Sequence, residues 1–310
     1  EHTKRLVGHL ESLCKKYDKP VAVYVSANSA EINQLRSEND FPIFTQIVEM
    51  FRALKLDFEH TQKVLEDESK ETVPVFVVDK ERVKQLIDNA KNENRDLLLN
   101  EAMEVLESYG IPTTKGMTAN SAKEAGEAAK KLGFPVAMKI ISEQISHKSD
   151  VGGVQLNLRD VNVVEEAYDD MVARIKKAYP DADFGGVMVQ PMAVGGREMI
   201  LGGRQDDQFG AAVLVGLGGI FVEIFERASM RIAPISKSEA YAMIEELAGS
   251  QILMGARGQK RFDIEALVNA TLHLSQLLVD FPEIQELDIN PLRLFHEEEG
   301  CLALDARIIL

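Results

Sequence analysis

A lysine in an apolar strand and a glycine pair in the loop after it are the first residues whose types and spacing suggest chemistry. Lys139 lies in the run VAMKII, and Gly152 and Gly153 lie in the following stretch, ISEQISHKSDVGGV. An ammonium group among apolar neighbours on an interior strand is poorly solvated unless an anion reaches it. Phosphate is the natural candidate. Taken alone, Lys139 is equally well read as an edge-strand lysine that extends to water.

The loop favours the phosphate interpretation. Gly152-Gly153 permits a backbone that approaches a ligand closely, and successive N–H groups there can form an anion-binding nest beside His147 and Lys148. A Gly-Gly hairpin turn before the strand VQLNL is the alternative for the glycine pair. With Lys139 directly upstream, the spacing predicts a loop that closes over phosphate groups.

The carboxyl-terminal segment ELDINPLRLFHEEEGCLALDARIIL predicts a hairpin that positions oxygen ligands. If its turn is 296–299, Asn290 lies directly opposite Asp305, with the two Cβ atoms about 4.5 to 5.5 Å apart. One carboxylate and one amide oxygen at this separation can share Mg²⁺, whose shell phosphates complete. Asp288, on the same face, is a third oxygen or a supporting base. A solvated face is the alternative, but the opposite face is apolar and fixes the register; it comprises Leu287, Ile289, Leu302 and Leu304.

Two further stretches predict a nucleotide cleft. In VMVQPM a strand ends in Gln190-Pro191, and the next strand begins GGREMI with Glu198. We expect a hinge here whose backbone forms hydrogen bonds with the edge of an adenine ring. The carboxylate that follows would accept hydrogen bonds from ribose hydroxyls. In GLGGIFVE a strand ends in glycines before Glu223, where a bend for close packing is the alternative to a supporting carboxylate.

The elements that position these residues fall into three parts. Residues 1–65 alternate helix and strand, as in part of a parallel α/β layer, and include a helix with Ile47, Met50, Phe51 and Leu54 on one face. Residues 66–95 are rich in Glu, Lys, Asp and Asn and predict a linker with one strand candidate, VPVFVV. Residues 96–310 mix helices and strands without strict alternation, which predicts an α+β domain.

Capping residues set helix boundaries in the third part. Gly110 and Pro112 end the helix in LLLNEAMEVLESYGIPTT, Ser121 opens the next helix as a capping box, and Asp263 opens a long helix that runs to Phe281.

Composition excludes several kinds of protein. At 310 residues and 45% hydrophobic side chains, the chain can bury a substantial core in two domains. Its net charge of −15 argues against a nucleic-acid-binding surface. Two cysteines, Cys14 and Cys301, support neither a disulfide framework nor a thiolate zinc site, and favour a reducing cytoplasm. The sequence contains no apolar run that approaches the roughly 18 to 20 residues of a membrane span.

Taken in order, these motifs resemble the ATP-grasp domain of the nucleoside-diphosphate-forming acyl-CoA synthetases, the family of ADP-forming acetate–CoA ligase, which is related to succinyl-CoA synthetase. The segment from KPVAVYV to VEMFRALK resembles, less sharply, the last third of the flavodoxin-like CoA-ligase domain that precedes ATP-grasp in fused members. The stretches that carry the ATP-grasp resemblance are LLLNEAMEVLESYGIP, FPVAMKI, HKSDVGGV, VQPM, GREMILGGRQDDQFG, GLGGIFVE, RIAPI, GARGQKRFD and ELDINPLRL with LALDARI.

The resemblance implies a fold, a reaction and site residues. The fold is an α+β ATP-grasp domain over 96–310, with a lid-like subdomain at about 116–192. The reaction exchanges acid, CoA and ATP for acyl-CoA, ADP and phosphate through acyl-phosphate and phosphohistidine intermediates. Lys139 is expected to bind nucleotide phosphates. Gln190 and Glu198 are expected to line the nucleotide cleft. Mg²⁺ is expected at Asn290 and Asp305.

By the same resemblance, His147 matches a second phosphohistidine that receives a phosphoryl group and passes it to ADP. A neutral imidazole is a nucleophile for phosphorus, and Lys148 and the glycine amides would stabilise the transferring oxygens. The CoA-binding domain and the domain that bears the first phosphohistidine are expected elsewhere. The resemblance implies that they lie in the same full-length chain or in a separate subunit. We therefore expect this chain to be the carboxyl-terminal portion of a fused enzyme or a subunit that needs a partner.

Two other functions stay open. A catalytically silent ATP-grasp regulatory module of a larger protein, such as a protein acyltransferase, predicts damage at His147, Lys139, Asn290 or Asp305, and all four are present. A carboxylate–amine ligase would share the lysine and metal features without needing a histidine in the loop.

Overall fold

The computed structural model describes residues 2–17, 19–38, 42–67, 72–145, 148, 151–180, 184–219, 228–255 and 260–310. The chain forms two compact units, Glu1–Glu71 and Thr72–Leu310, which we call the amino-terminal and carboxyl-terminal units and describe separately. His147 and Glu223 lie outside the described residues. Within the described part of the chain, no helix is both long and apolar enough to span a bilayer.

The amino-terminal unit alternates helix and strand, as its pattern predicts. Its two short strands pair in parallel, and the helices cover a small core. Ile47 and Phe51, on the helix face predicted to be apolar, are both more than half exposed within this unit. The flavodoxin-like assignment of the segment stays a prediction. In chain order, the elements are α1 (His2–Tyr17), β1 (Val23–Tyr24), α2 (Ser29–Glu38), β2 (Ile43–Phe44) and α3 (Ile47–Asp67).

The first residues of the carboxyl-terminal unit differ from the predicted linker. The strand candidate VPVFVV joins no sheet in the described structure, and the backbone of Phe76 in it is hydrogen-bonded to the side chain of Gln276. Helix α4 (Lys80–Asn92) then buries Val83, Leu86 and Ile87 in the main core. Residues from Thr72 onward therefore pack with the carboxyl-terminal unit, because the polar composition of this stretch conceals a narrow apolar helix face. The predicted domain boundaries otherwise stay predictions.

A six-stranded sheet and the helices on one of its faces hold the main core. The strands run in the order β11-β10-β7-β8-β9, and β12 also pairs with β10. Asp263 caps the long helix, as predicted, by accepting a hydrogen bond from the N–H of Ala266. The elements are α5 (Leu99–Ser108), β7 (Arg197–Asp206), β8 (Gly210–Leu217), β9 (Ser229–Ile232), α8 (Lys237–Glu245), α9 (Ile264–Asp280), β10 (Glu286–Leu294), β11 (Cys301–Ala303) and β12 (Ala306–Ile309).

A four-stranded sheet with two helices occupies 117–191 and has a core of its own. Its antiparallel strands run in the order β3-β6-β4-β5. Ser121 accepts a hydrogen bond from the N–H of Glu124 and so caps the first helix, as predicted. The reciprocal half of the predicted capping box differs, because Glu124 Oε2 accepts from the N–H of Asn120. The elements are β3 (Met117–Ala119), α6 (Ala122–Leu132), β4 (Val136–Ile140), β5 (Val154–Leu158), α7 (Val161–Ala178) and β6 (Val187–Pro191).

The carboxyl-terminal hairpin has the predicted register. Ile289 pairs with Ala306 on one side of the Asn290 position and Leu292 with Ala303 on the other. A bulge between Ile289 and Leu292 shifts the pairing with β7 and moves the buried positions from odd to even numbers. Leu302 consequently lies opposite Arg293 and is only half-buried, whereas the sequence placed it on the apolar face.

Candidate functional site

Lys139 is buried inside the four-stranded sheet, as the sequence predicts. It lies on β4 between β5 and β6, so this strand is central and the edge-strand interpretation is wrong. Only 5% of the residue is exposed. Its ammonium group donates to Leu304 O at 2.7 Å and to Asp305 Oδ2 at 3.0 Å. Burial lowers the pKa of this ammonium, and the charge of Asp305 opposes that effect.

Asp305 accepts hydrogen bonds from two lysines, one on each carboxylate oxygen. Lys148 Nζ lies 2.8 Å from Oδ1, and Lys139 Nζ lies 3.0 Å from Oδ2. Burial disfavours the ionised carboxylate, but the two positive charges outweigh that cost and hold the pKa of Asp305 below its ordinary value. The ion pairs of Asp305 with the two lysines therefore connect the four-stranded sheet to the carboxyl-terminal hairpin.

Gln190 reaches the same point from β6. Its Nε2 donates to Leu304 O at 3.3 Å, while its Oε1 is buried without a hydrogen-bond partner in the described structure. Strand β6 ends at Gln190-Pro191, as the sequence predicts, and Gln190 lies opposite Ala137. The hinge expected at this point stays a prediction. An orphaned acceptor in a buried position is suited to a ligand that brings a donor.

The predicted metal ligands lie opposite each other at the hairpin bulge. The backbone N–H of Asn290 donates to Asp305 O at 3.2 Å, and Asn290 itself is exposed. Asp288 is half-buried, and its pKa is raised first by burial and then by the charges of Glu286 and Asp305. No group of three His, Cys, Asp or Glu side chains in the described ranges is arranged to hold a metal ion.

The chemistry of this donor set fits Mg²⁺, which prefers carboxylate and amide oxygens and retains open positions for phosphate. Asn290 provides an exposed amide, and Asp305 provides a carboxylate whose ionised form is favoured. Both oxygens of Asp305 are occupied by lysines in this structure. Each of these oxygens keeps a second lone pair, which can bind a cation.

The glycine pair packs closely against its described neighbours. Gly152 has φ +68°, a conformation that glycine adopts without strain. Gly153 donates its N–H to Lys148 O at 2.7 Å, and a Cβ on it would lie 2.7 Å from Ile140 Cγ2. Arg174, on α7, donates to Gly152 O at 3.4 Å. Lys148 is thus tied by its backbone to the glycine pair and by its side chain to Asp305.

Glu198 lies in the other sheet, on β7, and its contacts differ from those of Lys139 and Gln190. It pairs across the strands with Arg293, whose NH2 lies 3.0 Å from Glu198 Oε1. Its carbonyl accepts from Gly218 N at 2.8 Å, and these residues line a cavity with Gly219 and Phe262. A ribose contact for Glu198 stays a prediction.

The structure adds one group that the sequence did not indicate, the carbonyl oxygen of Leu304. It accepts from both Lys139 and Gln190. A backbone oxygen has no sequence signal of its own, since every residue carries one.

The carboxyl-terminal unit has an α+β fold, in which a buried lysine of the smaller sheet contacts a carboxylate on the hairpin of the larger sheet. The chain belongs to the ATP-grasp family: the model of the ATP-grasp domain matches residues 89–310. This confirms the α+β ATP-grasp fold and the resemblance drawn from the motifs.

Curated relatives are ADP-forming CoA ligases. The chain is 44% identical to the beta subunit of acetate–CoA ligase [ADP-forming] I of Pyrococcus furiosus, over 74% of this chain and 98% of that subunit. It is 36% identical to the 4-hydroxybutyrate–CoA ligase [ADP-forming] of Nitrosopumilus maritimus, over 98% of this chain and 44% of that protein. The chain thus matches a whole subunit in one relative and less than half of a longer protein in the other.

The solved structures that resemble this chain include enzymes that join an acid to coenzyme A, as the curated relatives do. A dinucleotide-forming acetyl-coenzyme A synthetase 1 of Ca. Korarchaeum cryptofilum, in complex with coenzyme A and Ca-AMPCP, matches with a TM-score of 0.70 at 42% identity, over 73% of this chain and 99% of that chain. A complex of the same protein with Mg-AMPPCP matches with a TM-score of 0.64 at 39% identity, over 74% and 99%. The predicted class of enzyme, a ligase, agrees with these names.

Proposed function

We propose that the carboxyl-terminal unit is the nucleotide-binding and phosphotransfer portion of an ADP-forming acyl-CoA synthetase. The observation that carries the proposal is the convergence of Lys139, Lys148 and Gln190 on the dipeptide Leu304-Asp305. Buried cations beside a carboxylate and an exposed amide are suited to a nucleotide polyphosphate with its cation. The names of the relatives favour this enzyme over a silent regulatory module.

Each residue has a stated role in the proposal. Lys139 and Lys148 neutralise nucleotide phosphates, and Gln190 offers its orphaned Oε1 to a donor on the nucleotide. Asn290 and Asp305 would hold Mg²⁺, which would draw charge from the phosphate oxygens when bound. Catalysis of this kind consists mainly of positioning and charge neutralisation.

The phosphotransfer role falls on His147, which lies outside the described residues, and rests on the resemblance of HKSDVGGV to the family motif. Its imidazole would accept a phosphoryl group and return it to ADP. The neighbouring Lys148 belongs to the charged cluster, which supports a loop that works close to the nucleotide phosphates.

The partner in the proposal supplies the CoA-binding and first phosphohistidine domains, as a separate subunit or in a longer form of the same chain. The two kinds of relative, a separate beta subunit and a longer single protein, support both arrangements. Without such a partner we expect nucleotide binding and phosphate exchange but no acyl-CoA formation.

The test is incubation of the chain with γ-labelled ATP and Mg²⁺, followed by mapping of acid-labile, base-stable phosphate. We expect label on His147 and none in His147→Asn, which keeps ATP binding in calorimetry. His9→Asn, in the amino-terminal unit, is the matched control and should label normally. Label that persists in His147→Asn, or its absence from the native chain even with the partner present, would contradict the phosphohistidine role.

A further inference from the structure

A cavity at the start of β7 is lined by an arginine–glutamate pair. It has a volume of about 330 Å³, which is enough for a small organic ligand. The charged residues in its lining are Arg197, Glu198 and Arg293, and the other lining residues are three glycines and Phe262. The cavity therefore combines charged groups, bare backbone and one aromatic wall.

Arg293 has donors that no described residue uses. A guanidinium group carries five N–H donors. Among the described residues, Glu198 is the hydrogen-bond acceptor for this group, with Oε1 at 3.0 Å from Arg293 NH2. Arg293 Nε is buried without a partner in the described structure, and the side chain as a whole is 21% exposed. An acceptor that reaches the guanidinium from the cavity would gain bonds that water and the described protein groups do not already supply.

The charge of the lining favours an anion. Two arginines and one glutamate give it a net charge of +1, in a chain whose net charge is −15. Such a local positive excess attracts anions to one place on a protein that elsewhere repels them. Phe262 adds an apolar wall, which strengthens electrostatic attraction by excluding water. A planar guanidinium with unused N–H groups matches the oxygens of a carboxylate or a phosphate.

Glycines hold the arginine–glutamate pair in place. Gly196 has φ +72°, and a Cβ on it would lie 2.9 Å from Arg293 Cδ. Gly219 has φ +69°, and a Cβ on it would lie 2.9 Å from Glu198 Oε2. A larger residue at either position would press on one member of the pair. The glycines therefore keep Arg293 and Glu198 at the wall of the cavity.

The cavity is separate from the residues assigned to nucleotide phosphates. Arg293 lies on β10, beyond the bulge and three positions after Asn290, where it pairs with Glu198 on β7. Three residues of strand span roughly 10 Å. Lys139, Lys148 and Asp305 are not among the lining residues of the cavity.

We propose that this cavity is an oxyanion site, in which Arg293 binds the phosphate or carboxylate group of a small ligand and Glu198 competes with that group for the guanidinium. Glu198 lowers the affinity because its carboxylate is a like charge beside the bound anion. This role needs no contact between Glu198 and ribose. The inference stands on the cavity alone and goes beyond the proposed function.

The test follows the Nε–H signal of Arg293 in ¹H–¹⁵N NMR spectra of the whole chain, assigned by its loss in Arg293→Gln. Because Nε is buried, its proton should exchange slowly enough with water to be observed. The chain is titrated with sodium phosphate and, separately, with sodium acetate, while sodium chloride keeps the ionic strength constant. We expect a saturable shift of the signal. Saturation by one anion alone assigns the site to phosphate or to carboxylate groups, and saturation by both assigns it to oxyanions in general. A signal that neither anion shifts would overturn the proposal.

Two controls locate the anion. Lys139→Met should leave the shift of Arg293 unchanged, because phosphate bound at the lysine cluster is not its cause. The Nε–H signal of Arg307, an exposed arginine on β12, should show no saturable shift. Loss of the Arg293 shift in Lys139→Met, or an equal saturable shift at Arg307, would overturn the assignment to this cavity.

The competition gives a prediction of opposite sign. Glu198→Gln removes the like charge, so the anion should bind roughly fivefold tighter than to the native chain. Glu286→Gln removes an exposed carboxylate from the neighbouring strand β10 and should change the affinity much less. Equal effects in the two variants, or weaker binding in Glu198→Gln, would overturn the competing role of Glu198. The titration of the native chain decides the site itself even if Glu198→Gln folds poorly.

Discussion

Lys139 on β4 and Asp305 before β12 are separated by 166 positions in the chain and joined by a 3.0 Å ion pair. Lys139→Met should lower the affinity for Mg²⁺·ADP at least tenfold, or about 1.4 kcal/mol, because it removes the buried cation that we propose binds the phosphates. It should also lower the melting temperature, since Asp305 keeps only Lys148 as a cationic partner. Calorimetric titration and thermal melting measure the two effects.

Lys80→Met is the control for this substitution. It removes a lysine of the same charge from an ion pair with Asp280 on another part of the unit. ADP affinity should be unchanged. A tenfold loss in this control, or a native affinity in Lys139→Met, would contradict the role given to Lys139.

Gly153→Ala should disturb the loop. Its Cβ would lie 2.7 Å from Ile140 Cγ2 and 3.0 Å from Lys148 O, and the second of these is backbone. We expect a loss of about 1 to 3 kcal/mol of unfolding free energy, as for other overpacked sites, and a several-fold loss of Mg²⁺·ADP affinity because Lys148 shifts.

Gly133→Ala separates the two effects. Gly133 has φ +88° and ψ 143°, a backbone conformation that only glycine adopts readily, and no atom of the described residues lies within 4 Å of an added Cβ. Alanine there should therefore add backbone strain of about 1 to 3 kcal/mol without a steric clash. Stability should fall while nucleotide affinity stays at the native value. Equal losses of affinity in both variants would remove the case for a specific role of Gly153.

His273 should make the carboxyl-terminal unit less stable in mild acid. Burial against Phe76 lowers the pKa of this imidazole below 6.5 in the folded chain. As the pH falls, the unfolded chain therefore takes up a proton on His273 before the folded chain does. The stability that the neutral imidazole contributes is complete above pH 6.5. It is lost as the pH falls from 6.5 to the lower pKa of the folded chain.

The measurement compares unfolding free energies of the native chain and His273→Phe from pH 7.5 to 5. On acidification, the native chain should lose more unfolding free energy than His273→Phe does. Phenylalanine keeps the stacked ring and has no group that binds a proton. A constant difference across this range would show that His273 does not titrate differently on folding.

Gln276 should hold the extended segment before α4. Its Oε1 accepts from Phe76 N at 2.8 Å and its Nε2 donates to Phe76 O at 3.1 Å, a reciprocal pair like that between two strands. Gln276→Ala should cost about 1 to 3 kcal/mol, since it removes both hydrogen bonds to Phe76 and a longer one of 3.4 Å to Asp280 Oδ2. It should also speed cleavage between 72 and 79 by a nonspecific protease. Gln208→Ala, at an exposed turn, is the control. Equal cleavage rates would contradict the prediction.

The linker predicted over 66–95 contains a helix that its composition did not locate. Its charged composition indicated a linker, yet Val83, Leu86 and Ile87 recur at helical spacing and become buried once the main core is present. The strand candidate VPVFVV was wrong as a sheet strand because its partner is a side chain, Gln276, which no period-2 pattern reveals.

The sequence by itself determined the local features of this protein. Asp263 and Ser121 cap helices because a short side chain reaches an N–H three residues on, and the hairpin register follows from its turn and apolar alternation. The sequence also determined the ATP-grasp family through its ordered motifs.

The tertiary structure alone decided which of the predicted site residues meet. Lys139, Lys148 and Gln190 converge on Leu304-Asp305 across more than a hundred positions, while Glu198 is drawn to Arg293. Such contacts depend on how two sheets pack and on where the bulge at Asn290 turns the hairpin. Local patterns fix each strand's faces, but only the packed chain brings distant charges close enough to compensate one another.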